Sequence, residues 1–141
     1  MTFILVALGL LPFAFGGFMN WYMITYPNSP IPYKLIGIVV LLIWAVIAFA
    51  IKPYIKNTKK IIIGLNVVAF VVLVLLGIQE LILNAYWFNF VGVWTQLYYL
   101  PLLNISFALT NWIHHVFSTY CAAFLLMVIA TFAGSKLRII K

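Results

Sequence analysis

Acidic side chains are almost absent from this 141-residue sequence: Glu80 is the only one, and there is no aspartate. Hydrolytic machinery built on an orienting carboxylate therefore lacks a part, because no Ser–His pair at nucleophile spacing comes with such a third group. Cysteine is equally scarce. Cys121 stands alone, which rules out an intrachain disulfide and any CxxC redox or metal motif. In its apolar stretch the thiol reads as a small hydrophobe. A zinc site needs three or four ligands, and the only candidates are Glu80, His114, His115 and Cys121, the last lying roughly two turns below His115. Haem asks for an axial histidine deeper in a bundle, which two adjacent histidines at a helix end do not supply. No metal and no cofactor is expected. Neither GxxxxGK[ST] nor GxGxxG occurs, so no phosphate-cradling loop is indicated.

Charge of either sign is also sparse, at 6% of residues against roughly a quarter in soluble domains. So few charges cannot keep the chain dispersed in water, and lipid must cover most of its outer surface. The net charge of +7 is not a nucleic-acid signal, because the lysines sit between apolar runs, where membrane topology accounts for them. The expected partners are membrane lipid and either another membrane protein or further copies of this chain; nucleic acid is not among them.

What is present is hydrophobicity, at 67% of residues. A bilayer core of about 30 Å is crossed by about 20 mostly apolar residues at about 1.5 Å each. Segments 3–22, 34–51, 61–83 and 112–133 meet that test, so the sequence predicts an all-α integral membrane four-helix bundle, with 1–141 as a single transmembrane domain. The first segment lacks the positive flank of a signal peptide and outruns a short apolar core, so it reads as a retained helix. Pro12 is expected to kink it, and Gly16 and Gly17 to admit a close neighbour.

Lys52, Lys56, Lys59 and Lys60 separate the second and third segments, and Lys136, Arg138 and Lys141 follow the fourth. The positive-inside bias places both groups, and hence both termini, in the cytoplasm of a multi-pass plasma-membrane protein. Residues 84–111 are then external. A fifth span here would put the C-terminal cations outside. Trp87, Phe90, Trp94 and Tyr98 recur at helical spacing, with Tyr99 beside them, and Pro101 stops the pattern. Because tryptophan and tyrosine favour the headgroup level, the pattern predicts an external amphipathic helix lying on the interface between the third and fourth spans. It would serve as a bundle anchor, or else as a lid or docking surface. Asn104-Ile105-Ser106 matches a glycosylation sequon, a short pattern frequent by chance.

Glu80 carries the chemical question. It lies about 28 Å up the third segment, near the edge of the hydrocarbon. His115 and Lys34 come out at similar heights, with His114 turned away by about a third of a turn. Glu80, His115, His114 and Lys34 thus form the candidate site, either a proton or cation site or a structural ion pair that fixes helix register. Three functions follow in order of support. The first is a non-enzymatic accessory or interaction subunit of a membrane complex, favoured by the scarcity of buried polar machinery. The second is an oligomeric small transporter or channel subunit coupled through Glu80 and His115. The third is a lipid- or quinone-directed enzyme using them as acid and base.

Overall fold

In the computed structural model, which describes residues 2–113 and 115–137 (the backbone alone at Thr2), every regular element is helical. In chain order these are α1 (Thr2–Leu8), α2 (Leu11–Thr25), α3 (Tyr33–Ile51), α4 (Thr58–Gly77, prolonged by a π turn at Ile78–Ile82), α5 (Phe90–Tyr99), α6 (Leu103–Thr110) and α7 (Val116–Lys136). Four stretches are long and apolar enough to cross a membrane: Phe3–Thr25, Tyr33–Ile51, Thr58–Ile82 and Val116–Lys136. The chain is therefore a multi-pass membrane protein with the expected four spans.

Local chemistry sets where each span begins. The Asn57 side chain accepts the backbone N–H groups of Lys59 and Lys60, so the third helix starts earlier than its apolar run does and takes both lysines into its first turn. The fourth starts later than expected, because residues 111–113 form a turn and His115 is extended, with φ −103° and ψ 126°. In the first span the kink expected at Pro12 is a full break just before it. α1 stops at Leu8 and α2 restarts at Leu11, placing Pro12 in a first turn. Proline inside a helix costs about 3 kcal/mol, whereas in a first turn its missing N–H loses nothing.

Two hydrogen bonds fix the direction of α4 against α7. Asn66 pairs with Thr131, and Glu80 with Phe117. The helices are antiparallel, so Lys136 lies at the same end as Lys59 and Lys60. This is the lysine end of the bundle; Glu80 lies towards the other. Glycines permit the closest approaches: a Cβ on Gly134 of α7 would sit 2.0 Å from the Ala45 carbonyl oxygen of α3. Leu5 of α1 occupies the space beside Gly64 of α4. Trp44, Leu65, Ala69, Leu76, Ala123 and Met127 fill the core between them.

The segment between the third and fourth spans enters and leaves at the Glu80 end. At its start the Trp87 N–H donates to Gln79, and at its close Thr110 meets Thr119 beside the start of α7. In between, the Tyr99 hydroxyl reaches the Ala69 carbonyl, about 15 Å down α4 from Gln79. The chain dips into the bundle and returns without crossing it. α5 packs on α2 and α4, the turn at Leu100–Leu102 on α3, and α6 on α7.

A helix does stand between the third and fourth spans, and it ends ahead of Pro101, as its spacing predicts. Its seating differs from that of a helix resting on the surface. Tyr98 and Tyr99 are 1% and 0% exposed, whereas Phe90 is 77% exposed. Two physical reasons account for this. Gly16 lets the Leu97 backbone lie directly against α2, since a Cβ there would meet the Leu97 carbonyl oxygen at 1.8 Å. Both tyrosine hydroxyls also find backbone acceptors: Tyr98 donates to Gly9, at the break in the first span, and Tyr99 to Ala69. Burying the rings therefore leaves no hydroxyl unsatisfied.

Candidate functional site

The site grows from the way α4 ends. At Ile78–Ile82 the helix widens into a π turn, with the Leu83 N–H donating to the Ile78 carbonyl at 3.0 Å. Single π turns inside helices recur at functional positions. Asn84 then adopts φ 49°, the left-handed conformation that asparagine tolerates better than most residues and that often terminates helices. Gln79 and Glu80 are adjacent on this turn, and each is held by two partners.

Gln79 is fully buried. Its Oε1 accepts the Trp87 N–H at 3.0 Å, and its Nε2 donates to Thr95 Oγ1 at 3.2 Å. Thr95 in turn donates to the Gly92 carbonyl at 2.7 Å. Gln79 thus pins the entry of the inserted segment to the end of the third span.

Glu80 is half-buried. Its Oε2 accepts the Tyr86 hydroxyl, and its Oε1 accepts the Phe117 N–H at 2.9 Å. Phe117 is the second residue of α7, so its N–H belongs to the first turn, which has no acceptor within its own helix. Negative charge at that position is also favoured by the helix dipole. Glu80 caps α7 from a neighbouring helix. Gly77, one turn below, makes room for the Phe117 ring, which would lie 3.1 Å from a Cβ placed there. Burial, and then the hydrogen bond to Glu80, hold the Tyr86 phenol above the usual tyrosine range.

The proposed partners of Glu80 are placed otherwise. Lys34 is exposed in the first turn of α3, and His115 is exposed immediately before α7, its carbonyl accepting from Ser118. The carboxylate bonds to neither. The backbone donor at the start of α7 stands at the carboxylate's own height and has no competing acceptor in its helix. His114 lies outside the described residues. Of the aromatic set, Trp87 and Trp94 are half-buried, Phe90 faces outward and Tyr98 and Tyr99 are in the core. Phe13 joins them, edge-on to Tyr98 at 4.8 Å and to Trp94 at 5.9 Å between ring centroids.

A second polar node lies deeper. Asn66 Oδ1 accepts the Trp44 indole N–H at 3.4 Å, and its Nδ2 donates to the Ile62 carbonyl and to Thr131 Oγ1 at 2.9 and 3.0 Å. Thr131 passes its own proton to the Met127 carbonyl. The node ties α3, α4 and α7 together, and both amide hydrogens of Asn66 are used. Near the Glu80 end, Thr110 bonds to the Ser106 carbonyl and to Thr119. The Ser106 hydroxyl is the one buried side-chain polar atom without a partner among the described residues. In the sequon the serine is buried inside α6, whereas Asn104, the residue a glycan would be attached to, is exposed.

The sequence reading missed Gln79, Tyr86, Trp44 and Thr131. A glutamine next to the sole acid, inside an otherwise apolar run, was the available signal, because polar groups within spans are seldom idle. For Tyr86 there was no periodic cue; only the left-handed turn at Asn84 brings it back over Glu80. Comparisons with protein-family models, curated proteins and solved structures found no match. The site therefore rests on its own geometry. Chemically, it is a carboxylate held between a phenol and a helix end, a group that can locate one helix against another and hold charge there.

Proposed function

We propose that this protein is a non-enzymatic accessory or interaction subunit of a membrane complex. One observation carries the reading: among the described residues the buried polar side chains, Ser106 excepted, bond to one another and to backbone. Asn66, Gln79, Thr95, Thr110, Thr119 and Thr131 all have partners within the chain. The sole acid is engaged in capping α7. A transport path or a catalytic centre would require several polar groups facing a cargo, and apart from the Ser106 hydroxyl the interior offers them bonded already. What the surface offers is apolar side chains, among them the exposed Phe18, Ile24, Phe70, Phe88 and Phe90.

A second reading, an oligomeric transporter or channel subunit coupled through Glu80, draws on the π turn that carries the carboxylate and on its partial exposure. Reconstitution separates the two. In liposomes under a pH gradient, the purified protein is expected to leave proton and cation leakage at the protein-free level. Cross-linking in native membranes should yield a stoichiometric heteromer. Leakage that depends on Glu80 and disappears in Glu80→Gln would replace the first reading with the second.

We also propose that both termini face the cytoplasm of the plasma membrane, by the charge rule for the lysine end. In a Cys121→Ala background, cysteines introduced singly at Lys59 and Lys136 should be shielded from an impermeant thiol reagent in intact cells. Cysteines at Asn28 and Asn104 should react. The opposite labelling pattern would invert the topology.

A further inference from the structure

The lysine end carries a groove that the capping layer and the polar nodes leave unexplained. It has a volume of about 500 Å³ and runs between α1 and the start of α4, with Lys56, Lys60 and Tyr54 at its rim and Leu5, Ile63 and Gly64 on its apolar side. A smaller groove of about 190 Å³ adjoins it on the other side of Tyr54 and Ile55, lined by Ile4, Leu5 and Ile51. The loop that bears Lys56 is pinned: the Lys52 ammonium donates to the Lys56 carbonyl at 2.9 Å and to the Thr58 hydroxyl. The backbone beneath Lys56 is thereby tied to the start of α4.

Among the described residues no acidic side chain faces Lys56 or Lys60. Glu80, the only acidic side chain in the sequence, lies twenty residues along the helix from Lys60, about 30 Å away. Lys56 and Lys60 are exposed, as is Ile63 at 67%. A cationic rim above two apolar channels, at the level where the spans end, complements one class of molecule. We propose that this groove binds an anionic glycerophospholipid, its phosphate between Lys56 and Lys60 and its acyl chains along the channels on either side of Tyr54. A soluble anion would use the lysines and leave Ile63 and Ile4 without a role, whereas a neutral lipid would use the channels and leave the lysines without one. Basic pockets at helix ends recognise anionic head groups through this combination.

The test is lipid titration of the whole protein in detergent at physiological salt, followed by native mass spectrometry. Phosphatidylglycerol is expected to be retained at least tenfold more tightly than phosphatidylcholine. Replacing both lysines, Lys56→Gln with Lys60→Gln, should weaken phosphatidylglycerol about thirtyfold, taking about fivefold for each basic residue near a head group. Lys59→Gln, at the same end but outside the groove, should change it less than twofold. Ile63→Ser, a surface change that leaves the core intact, should weaken it several-fold and keeps the test available where the double variant does not fold. Equal retention of the two lipids would overturn the proposal. So would a Lys59→Gln effect as large as that of either groove lysine, which would mean diffuse attraction. Displacement of the lipid by millimolar inorganic phosphate, or indifference to Ile63→Ser, would reduce the groove to a soluble-anion site and equally overturn it.

Discussion

Gly16→Ala should destabilise the protein by about 3 kcal/mol, while Gly17→Ala, one residue along, should leave it unchanged or slightly more stable. Overpacking a filled interface costs typically about 1–3 kcal/mol, and here the obstacle is backbone. The new methyl at residue 16 would sit 1.8 Å from the Leu97 carbonyl oxygen, whereas at residue 17 its nearest neighbours are Trp94 ring atoms at 3.7 Å. In the helix itself alanine is favoured over glycine by about 1 kcal/mol at both positions, so the difference between the variants isolates the contact with α5. Reversible unfolding in mixed micelles measures it. Equal stability of the two variants would mean that α5 does not lie against α2, and the inserted segment would have to be redrawn as a surface helix.

Glu80→Ala should cost about 3 kcal/mol, and Glu80→Gln about half of that. Alanine abandons two part-buried donors at once, the Phe117 N–H and the Tyr86 hydroxyl, and a donor left unsatisfied costs about 1–3 kcal/mol when buried, the lower part of that range applying to each of these. Glutamine keeps an oxygen for the backbone donor, presents an N–H to the Tyr86 oxygen where the carboxylate had accepted from it, and gives up the charge that favours the helix end, an effect of up to about 2 kcal/mol where partly buried. Hydrogen exchange locates the damage. Faster exchange should be confined to residues 83–89 and to the first turn of α7, with Asn66 and its neighbours unaffected. A Glu80→Ala protein as stable as the parent would show that the carboxylate holds nothing, and the capping role would fall.

Much of the scaffold was open to inspection in the sequence, because four apolar runs of spanning length and two clusters of lysine are coarse signals that survive without tertiary information. The same reasoning excluded a fifth span at 84–111, in agreement with the placement of both ends of that segment beside Glu80. Finer features depended on partners far along the chain. Tyr98 and Tyr99 carry the amphipathic character that suits an interface, and nothing local reveals that Gly9 and Ala69 offer them carbonyl oxygens. Height along the helix correctly put Glu80 level with the start of the fourth span. Which donor met it turned on where that helix began, and the apolar pattern misplaced this by a few residues because it runs on through Trp112 and Ile113. Side-chain pairing by height offered His115 or Lys34; the backbone N–H of Phe117 was invisible to a reading that counted side chains only.

The way the inserted segment is held has a consequence for how the protein comes to be made. α5 rests on α2 and α4, both already translated when it emerges, and Gln79 finds the Trp87 N–H only eight residues later. α6 instead rests mainly on α7, and Glu80 must wait thirty-seven residues for the donor it caps. The descending half has its supports in place when it emerges, whereas the returning half stays without its main support until the fourth span enters the membrane. Arrival of α7 is thus the step that secures the returning half, and the lone acidic side chain is the latch it closes on.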